Sequence, residues 1–262
     1  MAIEERVPGP SAAVRQHVVQ RPVPRSTLVS SIVAELTAEP RTDAWLVAPS
    51  RRVARQWLDS IALSGTPVFN VRATTPRALC YDLAAASLAA AGFVVASPRA
   101  SLVLLEKVLV HADRGGTLRS FARPRSYRRL TERLLASLVA IRMAGLTAAD
   151  IRRRKDFGAT PKGHDLALLL EAYAAALAAA KLVDAADIAA AAVRVATDGP
   201  MPAGWNRILI PEEIQLRPME RRLVTALGER VRWLAIDGEP ASFADPASGP
   251  TPRFFRAIGE VN

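Results

Sequence analysis

A chain of 262 residues, half of them hydrophobic and 23% charged, carries enough apolar side chain for a sizeable core, which excludes wholesale disorder. Its single cysteine, Cys80, excludes an internal disulfide and a thiolate metal cluster and fits a reducing cytoplasm, while His17, His111 and His164 lack zinc-site spacing. The net charge of +10 is concentrated: between Arg114 and Lys155 twelve Lys or Arg face only Glu132 and Asp150, and the remainder balances.

In chain order, Glu4-Glu5-Arg6 followed by Pro8 and Pro10 lacks the basic start and apolar run of a secretory leader. An apolar stretch, Ala12 to Val19, precedes Pro22 and Pro24, and a helical pattern then runs from Ser26 to Leu36 until Pro40. Ala44 to Ala48 is a short apolar run closed by Pro49 and reads as a buried strand. Ser50 is placed to cap a helix through Val53, Trp57, Leu58 and Ile61. Val68 to Ala73 alternates as a strand does, and Thr74-Thr75-Pro76 opens the next helix. Leu83 to Ala96 is the most apolar stretch, yet it is mostly alanine and shorter than the ~20 residues of a bilayer span, so a buried helix and no membrane partner are expected. Together these features point to a soluble cytoplasmic protein.

From about Pro98 to Thr197 the apolar spacing is helical. Leu102, Leu105, Val108 and Leu109 form one stripe, Leu130, Leu134, Leu138 and Ile141 a second, and Leu166, Leu170, Tyr173 and Leu177 a third. No strand signal interrupts this block. Strands return with Arg207 to Ile210 and Val231 to Ile236, separated by a helix from Pro218 to Leu227. Strand–helix alternation implies an α/β protein with a parallel sheet. Residues 1–97 and 198–262 are thus expected to form the two parts of one sheet domain, with 98–197 as an all-helical insertion. The chain closes on Phe254-Phe255-Arg256-Ala257-Ile258, an element that stops abruptly and suggests truncation.

Four stretches in this order carry a family resemblance. They are Trp45 to Arg55, Val71 to Leu79, Leu182 to Ile188 and Ile208 to Glu220. With the helical insertion between them, the chain resembles the N-terminal helicase-like region of AddB-type subunits, bacterial helicase–nuclease proteins of the PD-(D/E)XK nuclease family. The resemblance implies a RecA-like (P-loop NTPase-like) lobe with an inserted helical subdomain, acting in double-strand-break repair.

It also implies where an ATP site would lie. A phosphate loop needs glycines for close backbone approach and a lysine for the terminal phosphates. Here the matching positions are Val19, Pro24, Arg25 and Ser26, followed by Thr27. The acidic pair that would organise magnesium is replaced by Pro211 and Glu212, and the downstream Gln-Asp by Ile214 and Gln215. Arg25, Ser26, Thr27 and Glu212 therefore mark a degenerate ATP site, and no cofactor is expected in this stretch, although active relatives use ATP and magnesium.

The loops that meet single-stranded DNA in such lobes correspond to Pro49, Ser50, Arg51 and Arg52, and to Thr74, Thr75 and Arg77. Their alternative role is plain capping by Ser50 and Thr75 with solvated arginines. In the basic block, Arg125, Arg128 and Arg129 are further DNA-binding candidates, with Phe121 and Tyr127 available for base stacking; a solvated helical face is the competing reading. Asp184 and Asp187 fit a helix cap better than a metal pair. The expected partners are single-stranded or duplex-end DNA and a helicase-active subunit. Two other functions stay open, an active superfamily 1 helicase with divergent motifs and a stand-alone module that pairs its basic face with an acidic protein.

Overall fold

The computed structural model describes residues 27–124 and 126–235. Arg25, Ser26 and Arg125, like the apolar stretches at Ala12 to Val19 and Phe254 to Ile258, lie outside the described residues.

The chain enters through α1 (Thr27–Ala38), β1 (Ala44–Val47), α2 (Arg51–Leu63), β2 (Val71–Thr74) and α3 (Pro76–Ala90). It leaves through β5 (Arg207–Pro211), α10 (Pro218–Leu227) and β6 (Val231–Leu234). The four strands form one sheet in the order β2-β1-β5-β6, and every pairing is parallel. A parallel sheet is covered on both faces, so its central strands read as continuous apolar runs, and every residue of β1 and β5 is buried. Ala44, Leu46 and Leu209 pack beneath α1 and α2 with Ile32, Leu36 and Ile61. Trp45, Val47, Ile208 and Ile210 share a core with α3, α9 and α10 through Leu79, Leu83, Ile188 and Leu223. Here α9 is the helix Ala185–Asp198.

β1–α2–β2 advances toward one edge of the sheet and β5–α10–β6 toward the other. Right-handed crossovers in opposite directions place their helices on opposite faces, as α2 and α10 are. A crevice therefore opens at the carboxyl ends of β1 and β5, where the winding reverses.

The expected strand at Val68 to Ala73 begins later, at Val71, because Asn70 sits in the left-handed region at φ 56°, a conformation asparagine tolerates. The helical block contains α4 (Pro98–Arg114), α5 (Tyr127–Met143), α6 (Ala148–Arg153), α7 (Lys155–Gly158) and α8 (Pro161–Ala179). It has its own core of Leu105, Leu109, Leu134, Leu138, Leu169, Tyr173 and Leu177. One expectation is corrected: residues 98–197 are not all helical. A strand, β4 (Leu182–Val183), pairs in parallel with β3 (Val94–Val95). Two residues are too few to show a period. The last helix of the stretch, α9, also packs in the core of the sheet, not in that of the helical block.

Candidate functional site

Both loops singled out in the sequence lie at the carboxyl edge of the sheet. β1 and β2 pair with Val47 opposite Thr74, and the Ala48 N–H donates to the Thr74 carbonyl at 2.9 Å, so their exits run side by side. Ser50 ends the first loop as the N-cap of α2, its Oγ accepting from the Val53 N–H at 3.2 Å. Thr75 does the same for α3, with its Oγ1 accepting from Ala78 N–H at 3.3 Å. A hydroxyl that accepts one cap bond keeps its own proton free to donate, so capping and ligand binding are compatible here.

These loops form one wall of a groove with a volume of about 730 Å³. Pro49, Ser50, Arg51, Thr75 and Arg77 line it, and the opposite wall, from the end of β5 to the start of α10, adds Glu213, Gln215 and Arg217. Met143 and Ala185 line it as well. The guanidiniums of Arg51, Arg77 and Arg217 make no ion pair among the described residues. The starts of α2 and α3 add the positive ends of their dipoles, while carboxylates cap the starts of α9 and α10. Glu220, which also lines the groove, is committed to the cap of α10, accepting from the Arg217 N–H at 2.8 Å. The lining thus sets three guanidiniums against the carboxylates of Glu213 and Glu220.

The other expected residues are placed elsewhere. Arg52 is exposed on α2 and does not line the groove. Thr74 is buried inside β2, with its hydroxyl on the Thr75 carbonyl at 3.5 Å. Arg128 and Arg129 are exposed on the first turn of α5, and Arg128 pairs with Glu132 at 3.2 Å. Met143 ends the same helix, so about 22 Å of helix separates Arg128 from the groove, at 1.5 Å per residue. Thr27 is an exposed residue at the start of α1. The stacking role expected for Phe121 and Tyr127 meets a different environment. Both rings pack against the helical core, and the Tyr127 hydroxyl donates to Asp113.

Asp184 and Asp187 form the cap expected of them. Asp184 Oδ1 accepts from the N–H groups of Ala186 and Asp187 at 2.9 and 3.2 Å, and Asp187 Oδ2 accepts from the Asp184 N–H at 3.1 Å. Sequence reasoning missed their cation, Arg142 at the end of α5, which pairs with Asp184 and reaches Asp187 at 2.6 Å. It also missed Asp165, a fully buried carboxylate that organises the loop before α5. Only an acidic residue inside an apolar stripe, between His164 and Leu166, hinted at that role. Burial first and the Glu220 charge second push the Cys80 thiol up to about 12, which favours its protonated form.

Of the positions that the resemblance assigns to an ATP site, Thr27 and Glu212 fall among the described residues. β5 ends in Pro211, and the turn that follows carries two exposed carboxylates, Glu212 and Glu213; the Glu212 N–H donates to the Leu234 carbonyl at 3.2 Å. Among the described residues no three His, Cys, Asp or Glu side chains gather to hold a metal, and no helix is long and apolar enough to cross a membrane. No protein-family model matches the chain, and no curated protein matches it either.

Proposed function

We propose that this chain is the N-terminal lobe of a DNA double-strand-break repair helicase–nuclease subunit, RecA-like in fold, without motor chemistry, and holding single-stranded DNA. In this reading its partners are the DNA strand and a helicase-active subunit that supplies translocation. One observation carries the proposal: two loops separated in sequence, Pro49 to Arg51 and Thr75 to Arg77, line one groove at the reversal point of a parallel sheet, where three arginines outnumber two glutamates. Hydroxyls, backbone N–H groups at helix starts and guanidiniums are the donors that phosphate oxygens take. The basic segment around Arg128 and Arg129 is a second, separate region for the same polyanion. Its exposure supports that role, and its distance from the groove makes it an auxiliary contact.

Fluorescence anisotropy with labelled oligo(dT) tests the groove. Arg51→Ala combined with Arg77→Ala should weaken binding about tenfold, with affinity that falls steeply with salt. Unchanged affinity in the double variant would reject the groove as the DNA site. The same protein should show no DNA-stimulated ATP turnover, and measurable turnover would return it to the motor class.

A further inference from the structure

On the wall that faces the two loops, the resemblance pointed to Glu212, Ile214 and Gln215 as parts of a degenerate ATP site and left Arg217 without a role. It comes from the end of β5 and the start of α10, and its cation is Arg217. The backbone N–H of Arg217 is used by Glu220 at 2.8 Å, which fixes the turn, while its side chain is exposed, lines the groove and makes no ion pair among the described residues. The next arginines on α10 differ. Arg222 lies against Met219 Sδ at 3.6 Å and over Gly145, and Arg221 is exposed; neither lines the groove.

We infer that Arg217 completes a cradle with Arg51 and Arg77 that grips the sugar–phosphate backbone of a single strand from both sides. The inference rests on the reading of the groove as a single-strand site and specifies what it reads. The groove's cationic side chains come from three helix starts and, with the hydroxyls of Ser50 and Thr75, supply more donors than its two carboxylates, Glu213 and the cap residue Glu220, can occupy. Donors of that kind match phosphate oxygens, which every nucleotide presents, and guanidiniums take them in pairs. The grip is therefore on the polyanion itself, and DNA, RNA and a strand without bases share its chemistry.

Salt titrations of binding separate the outcomes. A cradle of three phosphate contacts on a single strand gives a slope of log K against log salt of about −2. Arg217→Gln should reduce the magnitude of that slope by about 0.7 and weaken binding about fivefold at 0.1 M salt. Arg217→Lys should keep the slope, and Arg221→Gln should change neither slope nor affinity. Oligo(dT), oligo(rU) and an abasic phosphodeoxyribose oligomer of the same length should bind within about threefold of one another. If oligo(dT) binds through Arg51 and Arg77 but Arg217→Gln leaves the slope intact, Arg217 lies outside the cradle and the inference fails alone. Loss of binding by the abasic oligomer would overturn the backbone grip in favour of base recognition. No binding of any strand would overturn the single-strand reading itself.

Discussion

Asp165 shows how a buried charge is kept at the scale of one residue. Its carboxylate receives the N–H groups of Arg119 at 3.0 Å, Ser120 at 2.7 Å and Phe121 at 2.9 Å, and His164 Nδ1 lies at 3.2 Å. Burial pushes its pKa up, but the hydrogen bonds from Phe121, Arg119, Ser120 and His164 together outweigh it, so the group titrates below its ordinary value. A carboxyl with a depressed folded pKa contributes stability that is complete above its unfolded pKa and is lost as pH falls through the folded one. The loop around Ser120 should therefore loosen only under acid, at about pH 4 and below. Hydrogen exchange should show the protection of the Arg119, Ser120 and Phe121 amides falling there, and protection that persists through that range would refute the mechanism. Asp165→Asn offers one acceptor oxygen where two now serve, and should destabilise the fold by about 1–3 kcal/mol.

At the scale of elements, Arg142 joins the helical block to the sheet domain. It ends α5, and its partners Asp184 and Asp187 begin α9, which packs beneath the sheet. Arg142 also lies over the Tyr173 ring at 5.8 Å, so one guanidinium touches α8 and α9 together. Burial first, and the neighbouring Asp187 charge as well, push the Asp184 carboxyl up, while Arg142 opposes them. Removing Arg142 leaves that carboxylate buried without its cation, so Arg142→Ala should cost about 3 kcal/mol in urea unfolding at neutral pH. The penalty belongs to the ionised form. It should therefore shrink as acid protonates Asp184, and a loss independent of pH would argue for lost packing instead. Helix starts at this scale were legible because caps are local: Ser50 and Thr75 each meet an N–H three residues ahead. β3 and β4 were not, since two residues carry no periodicity and their pairing depends on the turn at Lys181, whose φ is 54°.

At the scale of the whole molecule, the described residues form separate apolar clusters, one on each face of the sheet and one inside the helical block. Leu46 and Leu138 are fully buried in the first and last kinds of environment. Each change to alanine should cost about 2–5 kcal/mol, and with Arg142 in place both should shift one shared unfolding transition. In an Arg142→Ala background, Leu46→Ala should lower only the sheet transition and Leu138→Ala only the helical one, as followed by hydrogen exchange. Two separate transitions in the unaltered protein would show that the joint does not couple the cores.

What the sequence determined by itself is whatever a residue settles with near neighbours. The apolar runs of β1 and β5, the caps at Ser50, Thr75 and Asp184, and the stripes of α4, α5 and α8 are of this kind. Their physics operates over one turn of helix or one strand, so a local window contains it. Tertiary structure decided what depends on distant partners. Arg142 finds its carboxylates 42 and 45 residues away, and Arg207 closes the end of α1 by donating to the Glu35, Glu39 and Thr42 carbonyls 172, 168 and 165 residues away. The groove belongs to the same class. Its arginines stand at three helix starts, and only the strand order β2-β1-β5-β6 brings Arg217 opposite Arg51 and Arg77. Reversal of the winding between β1 and β5 leaves their carboxyl ends uncovered by either set of helices, which is why the cationic loops meet there.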